Sequence, residues 1–196
     1  MDIVFVRHGS TLLNEKGIYV GKTDTGISQK GKDDIKKLVK SLDGIKFDNV
    51  YSSPLKRAIE TTEIIVGKNY TIDARLREID FGIFEGLSYK DINERYPEES
   101  KAWTNDYLNY KVPEGERLND VFSRVEKFIK DIEGENNTAL VVTHGGVIGC
   151  ALSLVFNSRE YFYRFKILHG TINVIGIENN YMYIKGINCM DTNGLI

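Results

Sequence analysis

Apolar and polar positions along the chain follow two rhythms. Short unbroken apolar runs, Ile3–Val6 and Ala139–Val142, read as strands covered on both faces. Longer stretches repeat at helical spacing. Ile35, Leu38, Val39 and Leu42 share one face behind Ser28, a capping residue. Leu118, Val121, Phe122, Val125, Phe128, Ile129 and Ile132 follow the i, i+3, i+4, i+7 pattern, and Gly134 is placed to stop that helix. The segment 145–156 is apolar nearly all round, which predicts a buried helix. Ser53 as cap and Pro54 as first helical residue predict a helix that carries Arg57 and ends by Gly67.

Further strands are predicted at 48–52, 70–73, 171–178 and 181–188. Asn179-Asn180 joins the last two as a tight hairpin, because asparagine tolerates positive φ. Residues 7–26 are loop-like, 76–86 irregular, and 88–96 and 98–106 helical, with Pro97 as an interruption. Strands alternating with helices predict an α/β three-layer sandwich with a mostly parallel central sheet and an antiparallel edge hairpin. Residues 84–118 carry no strand signal. They are expected to form a helical insertion over the C-terminal ends of the strands, within a single domain spanning 1–196.

The 196 residues are enough to bury a full core. With 41% hydrophobic and 28% charged residues the chain falls in the globular class. A net charge of −2 gives no global basic field, so neither nucleic acid nor a membrane surface is an expected partner. No apolar run reaches the ~18 residues of a membrane span. The two cysteines, Cys150 and Cys189, have no metal-site or disulfide spacing, and Cys150 is expected to be a buried free thiol. The first residues read as a strand and not as a leader, so a cytoplasmic location is expected.

Chemistry enters at the ends of two strands. "IVFVRHGST" (3–11) and "TALVVTHGGV" (138–147) both run from apolar residues straight into histidine and glycine. Ligands of parallel sheets bind beyond the carboxyl ends of the strands. If the two strands are neighbours, His8 and His144 meet at one spot. Arg7, and Arg57 from the start of its own helix, would add two guanidiniums suited to phosphate oxygens. The helix opening at Gly145 offers free N–H groups and a positive dipole end. Two imidazoles and two guanidiniums would repel one another without an anion between them, so the cluster predicts a site for a compact dianion.

"RHG" at 7–9, Thr11 and Asn14, "GKTD" at 21–24, "SSPLKRAIET" at 52–61, "LREIDFGIFEG" at 76–86, "PEGE" at 113–116 and "VVTHGG" at 141–146 together resemble the histidine phosphatase, or phosphoglycerate mutase-like, superfamily. The resemblance covers nearly the whole chain in order. It implies that His8 attacks phosphorus and becomes a phosphohistidine, which water then hydrolyses. It implies that Arg7, Arg57 and His144 hold the phosphoryl oxygens, and that Glu78 is the acid and base. Thr11, Asn14, Gly21 and Gly145 are the further phosphate or substrate contacts it implies. No metal and no cofactor are expected, and the expected partner is a small-molecule phosphate monoester, with the protein a monomer or homodimer.

The mutases of this superfamily carry Glu-Arg-His-Tyr-Gly at the acid segment, where this chain has Glu78-Ile79-Asp80-Phe81-Gly82. The missing basic pair favours hydrolysis over transfer to a second anionic group. Ile79, Phe81 and Phe84 are expected to favour a substrate with an apolar or aromatic body. "LREIDFGIFEG", Trp103 with Asp106, and "PEGE" look most like the α-ribazole phosphatase branch, which acts in cobalamin assembly. Trp103 could stack on an aromatic base or anchor the insertion. The alternatives are a mutase-type phosphoryl transferase, a non-catalytic phosphate-binding pseudophosphatase, and a metal-dependent phosphatase, the last disfavoured by the absence of an Asp/His cluster. His169 is expected to be an ordinary loop residue.

Overall fold

The computed structural model describes residues 1–133 and 138–196; the predicted helix stop at Gly134 lies outside them. Six strands form one sheet: β1 (Asp2–Arg7), β2 (Asn49–Ser52), β3 (Thr71–Ile72), β4 (Thr138–Thr143), β5 (Ile172–Glu178) and β6 (Tyr181–Cys189). Their order is β3-β2-β4-β1-β5-β6. The pairs from β3 to β1 are parallel, while β5 runs antiparallel to both β1 and β6. Asn179 and Asn180 have φ of 50° and 62°, so the β5–β6 turn uses the left-handed region as expected.

The helices are α1 (Leu12–Glu15), α2 (Gln29–Leu42), α3 (Lys56–Val66), α4 (Tyr89–Arg95), α5 (Pro97–Asn105), α6 (Leu118–Ile132) and α7 (Gly145–Leu154). The two-residue period of β1 divides its side chains between two cores. Ile3 and Phe5 pack with Val141, α6 and α7; Val4 and Val6 pack with Leu140, Val142, Ile35 and Leu38 on the other face. This double coverage explains why β1 and β4 read as continuous apolar runs, and it makes the sandwich three layers deep. None of the helices is long and apolar enough to cross a membrane, among the described residues.

Four expectations need correction. Thr11 starts a short helix inside the predicted loop, because its hydroxyl accepts from the Asn14 amide while the Asn14 carboxamide takes the Thr11 N–H. Pro97 opens α5 instead of interrupting a helix, since its missing N–H costs nothing at a first helical position. α7 ends at Leu154, short of Phe156.

Helix α3 begins at Lys56, not at Pro54. The cap comes from elsewhere in the chain: the Asp24 carboxylate accepts the Lys56 N–H at 2.7 Å. Of the amides at this helix start, the Ser53 hydroxyl accepts only the Leu55 N–H, at 3.3 Å, and it bonds to His144 at 2.7 Å.

Helices α4 and α5 sit over a small cluster of Phe84, Ile92 and Val112, joined by Tyr19 and Trp103. The Trp103 ring lies 5.8 Å from Tyr19 and 5.7 Å from Phe84. Of the two roles weighed for Trp103, anchoring the insertion is the one its surroundings support. Ile79 and Phe84 are also buried, so these two pack inward and do not face a substrate. Cys150 is a buried free thiol.

Candidate active site

Parallel pairing brings the ends of β1 and β4 together. Arg7 is in register with Thr143, so His8 and His144 leave the sheet side by side with ring centroids 5.0 Å apart. Both histidines are buried. The Nδ1 of His8 lies 2.8 Å from the Gly9 carbonyl. A proton on Nδ1 satisfies that acceptor and leaves the lone pair on Nε2. The Gly9 N–H donates to the Thr61 hydroxyl at 3.1 Å, which ties this turn to α3.

Arg57 is fully buried, against the bland expectation for an arginine beside a lysine on a helix. Its Nε–H donates to Nε2 of His8 at 3.3 Å. The rest of the guanidinium donates to the carbonyls of Thr23, Val20 and Gly21. The loop that supplies those carbonyls is itself held by Glu85, whose carboxylate accepts from the amides of Gly21, Lys22, Thr23 and Phe81. A side chain on Gly21 would collide with the Ile79 carbonyl and with Glu85. Gly21 therefore acts here through its carbonyl oxygen; its N–H is already taken by Glu85.

Arg7 packs against Gly145, where an added Cβ would lie 3.1 Å from its Cζ. Its guanidinium donates to the Ile167 carbonyl, while its Nε is buried without a protein partner. His144 has its Nε2 on Ser53, and its Nδ1 is likewise buried and unpartnered. Arg7 Nε, His144 Nδ1 and the Nε2 of His169 are thus three polar atoms left unpaired around His8, an arrangement with a desolvation cost that an oxyanion near Arg7 and His144 would relieve.

Glu78 is half-buried between two backbone donors. Its carboxylate accepts from its neighbour Ile79 at 3.0 Å and from Gly146 in the first turn of α7 at 3.2 Å. Its segment is clamped from outside. Arg124 donates to the carbonyls of Arg75 and Glu78 and pairs with Glu116, and the Thr143 hydroxyl donates to Leu76. Thr11 is buried as the cap of α1, while Asn14 borders a cavity beside Gly9 and His169.

Charge follows from this burial. Desolvation, then Arg57 and Arg7, push His8 well below the ordinary imidazole range, and desolvation with Arg57 does the same to His144. Arg7 is drawn down to about 10, chiefly by burial and opposed by Glu78. The site therefore presents neutral imidazoles beside two guanidiniums: a His8 whose Nε2 lone pair is unprotonated and held by Arg57, in a positive field suited to phosphate.

The cleft opens past Glu78 on two sides. One side, about 350 Å³, is bordered by Lys22, Leu55, Arg77 and Asp80. The other is bordered by Arg7, Gly145, Phe162, Tyr163 and Phe165. The apolar wall thus comes from the chain after α7. The sequence offered no signal for that, nor for the parts that Ser53, Glu85, Arg124 and His169 play here, which depend on distant partners. Among the described residues, no three His, Cys, Asp or Glu side chains are grouped to hold a metal ion.

A model of the histidine phosphatase superfamily, branch 1, matches residues 3–190. Phosphoserine phosphatase 1 of Hydrogenobacter thermophilus is 32% identical over 196 residues, covering 96% of this chain and 92% of that one. The 6-phosphofructo-2-kinase/fructose-2,6-bisphosphatase of Gallus gallus is 32% identical over 95% of this chain, which spans 41% of that protein's length. The solved α-ribazole phosphatase of Shigella flexneri superposes with a TM-score of 0.89 at 27% identity, over 97% of this chain and 98% of that one.

Proposed function

The chain belongs to branch 1 of the histidine phosphatase superfamily and is a phosphatase, and we propose that it hydrolyses small phosphate monoesters through a phosphohistidine on His8, without a metal. The observation that carries this reading is the meeting of Arg57 Nε with His8 Nε2 at 3.3 Å, with His144 and Arg7 beside them.

In the first half-reaction the His8 Nε2 lone pair forms a bond to phosphorus and the ester P–O bond breaks. The leaving alkoxide takes a proton from Glu78. In the second, water attacks phosphorus, Glu78 takes the water's proton, and the P–N bond breaks to release phosphate and His8. Arg7, Arg57 and His144 hold the phosphoryl oxygens, with the Asn14 amide and the N–H at Gly145 assisting. Phosphoryl transfer asks a protein mainly for positioning and charge stabilisation. A covalent step divides one hard displacement into two.

The substrate we infer has an aromatic, nucleotide-like body, of which α-ribazole 5′-phosphate is the type; a place in cobalamin assembly depends on that substrate. Phe162, Tyr163 and Phe165 beside Arg7 and Glu78 support it, as does the likeness to the Shigella enzyme. The Hydrogenobacter relative makes phosphoserine the natural competitor.

A panel of phosphomonoesters tests this, assayed with and without chelator beside His8→Ala. The expected result is turnover unaffected by chelator, abolished in His8→Ala, and fastest on nucleotide-like esters. Faster turnover of phosphoserine or phosphoglycerate would overturn the substrate class, and loss of turnover in chelator would overturn the metal-free reaction.

A further inference from the structure

His169 has no part in the chemistry above, yet its ring lies against the nucleophile. The His8 and His169 centroids are 5.3 Å apart at 63°, an edge contact like the one His8 makes with His144. The antiparallel strand β5 puts it there. Its leading end lies along the trailing end of β1: the Arg7 N–H donates to Thr171, and the Gly170 N–H donates to the Arg7 carbonyl at 3.0 Å. Gly170 turns the chain with φ of 62°. The loop is fixed from outside, because the Leu168 N–H donates to the Asn188 carboxamide at 2.7 Å. A rigid turn therefore presents this ring to His8.

Two hydrogen bonds orient the His8 ring, Nδ1 to Gly9 and Arg57 Nε to Nε2. The second is lost when Nε2 turns its lone pair on phosphorus. The histidine χ2 torsion is broad, so one remaining bond leaves the ring free to rock about it. Packing must supply the missing restraint. We propose that His169 is a positioning residue, holding the His8 imidazole in the attacking orientation by edge-on packing and making no contact with substrate. This rests on His8 being the nucleophile.

The chemistry of the neighbouring ring fits that task. Burial, Arg7 and Lys30 draw His169 down to about 3, so it stays neutral beside two guanidiniums at any ordinary working pH. An imidazolium there would be repelled by Arg7 and Arg57, and would be drawn to the phosphoryl group instead of resting against His8.

The test compares His169→Phe, which keeps a ring, with His169→Asn, which keeps hydrogen bonding but no ring. Steady-state turnover of p-nitrophenyl phosphate and inhibition by inorganic phosphate are the readouts, with thermal melts of both variants. Misplacement of a reacting group by about 1 Å costs on the order of 100-fold. His169→Asn is expected to lose about 10- to 100-fold in kcat, with KM and the phosphate inhibition constant within about twofold of the parent. His169→Phe is expected to recover most of that kcat; the cavity of about 280 Å³ bordered by Gly9, Asn14 and Lys30 gives the larger ring room. The reverse order, with Asn active and Phe impaired and weak for phosphate, would make His169 a phosphate ligand and overturn the proposal. Parental kcat in both variants would also overturn it. An active His8→Ala, by contrast, would remove the underlying mechanism and not this step alone.

Discussion

The main-chain N–H of His8 donates to the Thr143 carbonyl at 2.9 Å. That bond is the last link between β1 and β4, and it lies directly before both imidazoles. The sheet itself therefore sets the spacing of the site. Change at either strand end is felt by both histidines, and the predictions below begin from groups that keep this end of the sheet in shape.

Glu85 touches none of the phosphate-facing groups, yet it orders the loop whose carbonyls receive Arg57. Glu85→Ala leaves several loop amides without their acceptor. Each unsatisfied buried group costs about 1–3 kcal/mol. The expected result is a loss of about 2–4 kcal/mol in urea-unfolding stability and a drop in kcat/KM of at least about tenfold. Parental activity in this variant would show that Arg57 keeps its place without the loop.

Arg57→Lys keeps the charge but not the fork. Lysine cannot serve His8 and three carbonyls at once. Binding of inorganic phosphate, measured by calorimetry, should weaken by about 1.5–3 kcal/mol, the value of a hydrogen bond to a charged group. Unchanged binding would place Arg57 outside the phosphate site.

Much of this framework was legible in the sequence. The two-sided strands declared themselves through unbroken apolar runs, and α6 through a periodicity whose limits match the observed helix. His8, His144 and Arg7 were legible because each stands at a strand end. The start of α3 was not, because its cap is Asp24, far away in sequence. His169 was illegible for a related reason: only the antiparallel placement of β5 beside β1 brings it to His8. The apolar wall was sought at Ile79, Phe81 and Phe84; of these Ile79 is buried in the core with α6 and α7 and Phe84 in the cluster beneath the insertion, where the half-buried Phe81 also packs. Local spacing reveals which face of an element is buried, but not which distant partner comes to meet it.

Glu78→Gln removes the proposed proton donor while leaving an acceptor oxygen for the Gly146 amide. General acid–base catalysis contributes on the order of 10²–10⁴-fold. Turnover of an alkyl phosphate should fall within that range, with vanadate still bound. An ester with a good leaving group should suffer less in the first step, because its alkoxide needs no proton. Equal losses on both esters would remove Glu78 as the acid.

Stability should fall on mild acidification. His8, His144 and His169 all sit below the ordinary imidazole value of 6.5 in the folded protein. Below that pH the unfolded chain takes up protons that the native chain does not, so stability is fully present above about 6.5 and is lost as pH drops towards the native values. Each such group can contribute up to about 1.4 kcal/mol per pH unit in this window. Urea unfolding in phosphate-free buffer should show lower stability at about pH 5.5 than at about pH 7.5, with part of the loss recovered by added phosphate. Equal stability at both pH values would mean that these imidazoles take up protons in the folded chain as readily as in the unfolded one.

The most direct test of the whole account is to trap the intermediate. The enzyme is mixed briefly with a ³²P-labelled monoester, quenched in alkaline denaturant and digested. The account predicts label on the peptide containing His8, stable in base and lost in acid, and none in His8→Ala. Turnover with no label on any histidine, or label that persists in His8→Ala, would contradict it.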